Sequence, residues 1–556
     1  MGRPPRTRAG RAAGAALAAA AAIAVAATPA AAWEPPVALT PGTPATEGPY
    51  LAVGDAGDAV VAWGRGTPTS AEGGPPQAWR VEAATRPAGA AAWSAPQRLS
   101  PAGELAYGPV VAMPPSGVPV VAWTTVRRGV ADVTVSEARG ESTGWVTVPL
   151  DLGTGYSDGR ATAAAPDGTL AVATVTPWWA RGRWLRLQVR EPGGLWRAPA
   201  LLPGTPDHLA VAVRPGGRTL VAWLEQVGDW ESADVATRLV TREWDPEAGW
   251  RPAVVAATVA GGAADFRMGT TADGTVLAVA LLHGEDGWEA TAVTRAPDGR
   301  WGPPQVLGRP DDSELQMAAT PAAGAVAAWT EDDRVRAVTW TAAAGWSAVE
   351  EPPTGTCARP QQVEAVAAGP HGEALVVATA GFVSDWYHGA VRAWARRADG
   401  TWIGPAWLSR PVAGSPAAAI DGSGRMHVAW SRESDRPARI EVTSTDPAGS
   451  AADAVADGPV EPVLGVRAAR RGRRALAVRF RLAHRARVRV VVQRLVADRR
   501  IALRSVTVRG RRGGNAVVVR LDEHRAFRPG RFVASVWEDA VFVRGCPVAS
   551  PTVRVP

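Results

Sequence analysis

The 556-residue chain has no lysine, two cysteines, seven histidines, six phenylalanines and four tyrosines. Each scarcity removes a class of protein. Two cysteines, Cys357 and Cys546, cannot build a disulfide framework. So few cysteines and histidines leave little material for a zinc centre. No Asp-x-Asp-x-Asp-Gly loop prepares a Ca²⁺ site, so Ca²⁺ has no support and no cofactor or metal is expected. A phosphate-cradling glycine loop, a histidine pair at metal spacing and a nucleophile elbow are all missing. Beyond the first 32 residues no apolar run is long enough to span a bilayer.

Tryptophan, by contrast, is abundant, with 25 copies. Many of them mark a unit of about fifty residues that repeats eight times between Trp33 and about residue 450. One half of the unit is a turn and an apolar strand ending in Trp, as in Asp58-Ala-Val-Val-Ala-Trp63, Val118 to Trp123, Thr219 to Trp223, Ala325 to Trp329 and Met426 to Trp430. Three copies keep the strand without the Trp: Gly168 to Thr174, Gly274 to Ala280 and Glu373 to Thr379. The other half opens on Trp33, Trp93, Trp145, Trp196, Trp250, Trp301, Trp346 or Trp402. A period of this size indicates a propeller or solenoid. Each unit reads as four short strands punctuated by Gly, Pro and Asp, which favours propeller blades. In the fourth unit these are Ala210–Val213, Thr219–Trp223, Val235–Glu243 and the strand opened by Trp250, with the turn Arg214-Pro-Gly-Gly217 between the first two. The eighth unit stops after Arg439–Thr443, while residues 33–39 form a fourth strand without a unit. Residues 33–39 are therefore expected to complete the last blade and close the ring. The expectation is an all-β, eight-bladed propeller, with seven blades as the alternative if the degenerate units are incomplete.

The ends of the chain differ from the repeats. Arg3, Arg6, Arg8 and Arg11 precede an alanine-rich run and Ala30-Ala-Ala32, the pattern of a secretory signal peptide over residues 1–32. An exported, secreted or cell-surface protein, monomeric, is expected. Export would permit a Cys357–Cys546 bridge; two unrelated buried thiols is the other reading. The propeller is expected over residues 33–443 and a linker over 444–458. Alternating runs from Val463 to Val555 suggest about seven strands, a small β-sandwich over 459–556. With +4 in the leader and +17 in residues 459–556 out of a net +7, residues 33–458 carry −14. That asymmetry is read either as solvated surface, with arginines on the outer face of the strands, or as a site for an anionic partner.

The turns Asp298-Gly-Arg-Trp301 and Asp399-Gly-Thr-Trp402 resemble the Asp-box hairpin of sialidase-like propellers and bacterial propeller lectins. The match is partial, since Gly follows Asp directly and six units keep little beyond the Trp. It covers roughly residues 33–443 and implies a structural role: the Asp holds turn backbone and the Trp packs between blades. Sialidase catalysis is not expected, because no Phe-Arg-Ile-Pro-like segment appears near the start of the propeller and neither Tyr156 nor Tyr387 has a Glu near it in sequence. Phe527-Arg-Pro-Gly-Arg-Phe532 resembles a turn of immunoglobulin- or fibronectin-like modules.

The connections after the second strands hold Trp178, Trp179, Asp229, Trp230, Asp286, Trp288, Asp385, Trp386 and Tyr387. Connections between units add Asp158, Asp207, Asp265, Asp311 and Asp312. In a propeller both sets fall on one face. Trp beside carboxylate there suits a sugar, whose apolar face rests on the ring while its hydroxyls reach the acids. The competing reading is that each Trp folds back to cover its own blade. Carbohydrate or cell-wall polymer is thus the expected partner, with binding favoured over hydrolase or lyase chemistry, and a protein-interaction scaffold as the remaining alternative.

Overall fold

The computed structural model describes residues 33–40, 45–66, 79–127, 130–139, 144–150, 159–165, 167–175, 184–192, 195–203, 208–228, 235–284, 287–311, 314–320, 324–332, 334–353, 360–380, 390–409, 413–432, 439–445, 463–471, 475–482, 486–496, 499–520, 530–538, 548–549 and 553–555. The leader, Cys357 and Cys546 lie outside them. The fold is all-β. Among the described residues, eight antiparallel sheets of the expected four-strand kind follow one another along the chain. Their first strands are Ala45–Val53, Leu105–Ala112, Gly159–Ala164, Leu209–Val213, Gly262–Thr270, Leu315–Thr320, Pro360–Ala368 and Ala413–Ile420. Each first strand packs against the next, and the last packs against the first, so the sheets form a closed propeller ring.

The ring closes as the unmatched N-terminal strand requires. Val37 pairs with Val442 and Ala38 with Glu441, and Trp33 bridges to Thr445. The eighth sheet therefore extends two residues into the segment read as linker, through Ser444 and Thr445. The fourth sheet also differs slightly from expectation. Its third strand, Ala236–Asp245, pairs first with Gly249–Trp250 and then with a separate strand, Val254–Ala260, past a bulge at Leu239/Val240. The turn before its second strand needs glycine, with Gly216 and Gly217 at φ 79° and 76°.

The second strands run through the middle of each sheet and are covered on both faces by neighbouring sheets. Val60, Val61, Ala62 and Trp63 are all inaccessible, which is why this strand is apolar without alternation. Clusters straddle adjacent sheets; one joins Ala222 and Leu224 to Phe266, Ala278 and Trp301. The repeated second-strand Trp is the largest buried group, and its indole N–H is paired each time. Trp223 donates to Glu225 at 2.9 Å, Trp329 to Glu331 at 2.8 Å, Trp123 to Thr125 at 2.9 Å, Trp63 to Glu82 at 3.3 Å and Trp430 to Glu441 at 3.1 Å. A buried donor left unpaired would cost about 1–3 kcal/mol, so the acceptor, Glu in four sheets and Thr125 in the second, is as much part of the repeat as the ring.

The C-terminal strands form a separate β-sandwich. Val463–Arg470, Ala475–Leu482 and Gly513–Arg520 make one sheet. Ala486–Val496, Arg499–Gly510, Gly530–Glu538 and the short Val548–Ala549 and Val553–Val555 make the other. Val478, Phe480, Val490 and Phe532 from the two sheets share one core.

Candidate functional site

Antiparallel pairing puts the start of each first strand beside the end of the second. In the first sheet Ala45 lies opposite Gly66. This end of the ring is the mouth, and the connections between second and third strands join it. Most of the expected site residues sit in those connections. Trp178, Trp179, Asp229, Trp230, Asp286, Asp385, Trp386 and Tyr387 lie outside the described residues, as do Asp158, Asp207 and Asp312.

Trp288 is described and is not a loop residue. It belongs to the third strand, Gly287–Arg295, opposite His283 in a hairpin closed at Gly284/Gly287. Its ring meets the His283 ring edge-on at 4.6 Å and packs on the core shared with the sixth sheet. The tight hairpin, with Gly287 at φ 104°, leaves too little chain for a projecting loop. The reading of Trp288 as a connection residue is thereby corrected to a strand position, where its ring is half-buried.

The mouth is shaped instead by a feature not read from the sequence. The first strands of the seventh, eighth, first and second sheets, which are consecutive around the ring, contain Pro360, Pro416, Pro49 and Pro109. The other four first strands contain none. Proline cannot donate to the ladder, and these inner strands are edges where the loss is tolerated. All four bulge near the proline: between Pro360 and Gln362, Gly414 and Ala417, Glu47 and Tyr50, and Tyr107 and Val110. In the last three the residue before proline has a positive φ, 48° at Ser415, 87° at Gly48 and 60° at Gly108. Bulges re-aim side chains and cluster at rims and sites.

The bulges of the first and second sheets meet. Glu47 reaches across and accepts the backbone N–H of Gly108 at 2.9 Å. Gly64, opposite Glu47, leaves room for that carboxylate and for the edge of Trp79: a Cβ there would lie 2.8 Å from Glu47 Oε2 and 3.1 Å from Trp79 Cζ3. Tyr50, Trp79, Glu104 and Tyr107 are half-buried around the same junction. Aromatic ring beside carboxylate is thus present at the mouth, but built on Trp79 and Glu47. The signal in sequence was the pair Glu47-Gly-Pro-Tyr50 and Tyr107-Gly-Pro109. Across the ring, Asp265 pairs with Arg267, whose Nε donates to Gln316 of the next sheet at 3.4 Å. Asp311 lies at the start of the next connection, its N–H bonded to the carbonyl of Thr330 at 2.8 Å. Glu364 accepts from Thr379 Oγ1 at 3.2 Å.

The opposite, turn end of the ring is sealed. Asp298 accepts the N–H of Arg300 at 3.0 Å and Asp399 that of Thr401 at 2.8 Å. These backbone bonds are the main reason both carboxylates stay below the ordinary range. The Asp of the box therefore holds its turn, and Trp301 and Trp402 pack between sheets. Glu243 lies between Arg214 and Arg295 of adjacent sheets, all three buried.

The seam between eighth and first sheets holds an Asp–His–Ser grouping. His427 Nδ1 is 2.8 Å from Ser444 Oγ and 3.3 Å from an Arg86 nitrogen, and Nε2 is 3.3 Å from Asp421. Arg86 can only donate, so Nδ1 accepts and the proton sits on Nε2, facing Asp421. Burial pushes the His427 pKa down, against the pull of Asp421. Burial pushes Asp421 up, but hydrogen bonds from His427, Ser423 and the Arg425 backbone outweigh it and hold the carboxyl at about 2. His427 is 0% and Ser444 2% exposed, so no substrate reaches them and the grouping is structural. Among the described residues no group of three His, Cys, Asp or Glu is placed to hold a metal ion. No helix among them is long and apolar enough to cross a membrane.

No protein-family model matches this chain, and no curated protein sequence matches it. Solved structures do align with it. A copper-bound fungal alcohol oxidase of the AA5 family does so at 13% identity over 94% of this chain and 99% of that one, with a TM-score of 0.41. A PL25 ulvan lyase aligns at 10% identity over 74% of this chain and 94% of that one, with a TM-score of 0.37. The NanB sialidase of Streptococcus pneumoniae aligns at 8% identity over 73% and 69%, with a TM-score of 0.34. Identities this low and superpositions this loose carry no activity or substrate to the present chain.

Proposed function

We propose that this is an exported protein that binds carbohydrate at the mouth of its propeller. The observation that carries the reading is the junction of the first and second sheets. There the bulges at Gly48-Pro49 and Gly108-Pro109 bring Glu47, Trp79 and Tyr107 to one rim. A half-buried indole supports the apolar face of a sugar, and the Glu47 carboxylate beside it supplies an acceptor for its hydroxyls. Binding is favoured over catalysis because the buried Asp421–His427–Ser444 grouping is sealed. The test is a glycan and cell-wall polysaccharide array with the full chain, with released sugar measured in the same wells. Trp79→Ala and Glu47→Gln should abolish binding while leaving the melting curve nearly unchanged. Product release would replace this reading with a hydrolase or lyase at the same rim. A folded protein that binds no glycan would leave a protein-interaction scaffold.

A further inference from the structure

The β-sandwich turns an arginine face outward. Its three-stranded sheet buries Val466, Val478, Phe480 and Val519 on the inner side. The outer side carries Arg467, Arg479, Arg481 and Arg520, all exposed. Arg467 and Arg479 are direct cross-strand partners. Like charges in that relation are destabilising, so the pair costs stability in the isolated domain. Arg481 follows two residues on, about 7 Å along the strand. Arg520 stands opposite Ala475 at the far end of the sheet. None of the four makes an ion pair or side-chain hydrogen bond with another described residue. Between them the floor is small: Ala477, Gly514, Ala516 and Val518.

We infer that this face docks an anionic polysaccharide, a chain bearing uronate carboxylates. Guanidinium groups bind carboxylates in bidentate fashion, and four of them lie on one surface with no acid among the outward residues of that sheet. The small floor lets an extended chain lie flat while the arginine stems reach its acid groups from either side. Single-stranded nucleic acid is less suited, because the face offers no aromatic ring for base stacking. The ligand class is that proposed for the mouth, but the residues and the requirement for charge are separate, so the two readings fail separately.

The test is binding of the full chain to immobilised polygalacturonate at about 50 mM salt, where screening is weak. The comparators are the methyl-esterified polymer, single-stranded DNA and duplex DNA. The variant Arg467→Ser/Arg479→Ser/Arg481→Ser/Arg520→Ser should lose about tenfold or more in affinity. Arg509→Ser/Arg511→Ser/Arg512→Ser removes exposed charge off this face and should retain most of the affinity. Glu47→Gln should not affect it. Equal binding of the esterified polymer, tighter binding of either DNA, or equal loss in the two arginine variants would overturn the inference. So would no binding by the intact chain. If scattering then showed that the four substitutions change the particle's shape, the face would belong to the chain's own acidic propeller.

Discussion

At the turn end of the propeller, Glu243 is held by Arg214 and Arg295, His427 by Asp421, and the box aspartates by their own turns. At the mouth, one half of the ring is bulged by proline, and Glu47, Trp79 and Tyr107 are left half-buried at the rim. The two ends share the same strands and the same neighbours. They differ in how far their side chains are withdrawn from solvent: Arg214, Glu243, Asp421 and His427 are buried, whereas Glu47, Trp79 and Tyr107 are half-buried. A propeller ring needs one end stitched so that the other can carry strain and partly exposed side chains.

That contrast is breakable at its strongest point first. Glu243→Ala should cost about 3–5 kcal/mol, because two buried guanidiniums lose their counter-charge. A urea midpoint shift worth less than 1 kcal/mol would mean the turn end is not held by this network. Trp329→Ala should cost a similar 3–5 kcal/mol, and Trp79→Ala at the rim much less, while only the latter removes ligand. Denaturation and array binding measured side by side decide this.

The seam should respond to acid. His427 has a folded pKa below its unfolded value, so its contribution is complete above about pH 6.5 and falls as pH drops toward the folded pKa. Asp421 is lowered from 3.8 to about 2, so its contribution is present above 3.8 and is lost between there and about 2. Stability against pH should therefore fall in two stages on acidification. His427→Gln should flatten the upper stage and leave the lower one. A single stage in both proteins would exclude His427 as a seam residue.

Ser415→Gly should stabilise by about 1 kcal/mol, since glycine adopts φ 48° without strain. If it also weakened glycan binding, the strain would be part of the site. Smallest of all, Asp298→Ala in an exposed turn should leave the melting midpoint within error of the parent.

Much of the fold was legible before any coordinates. The Trp period set the four-strand unit, the orphan strand at Trp33 announced the closure with Val442, and the alternation from Val463 onward marked the sandwich strands almost to their ends. These are local patterns, imposed by a strand that must bury both faces or only one. The partners of the repeated Trp were half visible, as the Trp-x-Glu of Trp223-Leu-Glu225 and Trp329-Thr-Glu331. The mouth was not. Its Glu47–Gly108 contact joins residues of different sheets, and the room for Trp79 exists because Gly64 lies opposite Glu47. Trp288, placed on a loop by spacing, was drawn into a strand by a two-glycine hairpin. Sequence by itself determined the strand pattern, the ring closure and the charge split, because each follows from periodicity or composition along the chain. Only tertiary structure decided which aromatic and acid share a rim, because that depends on where neighbouring sheets bulge.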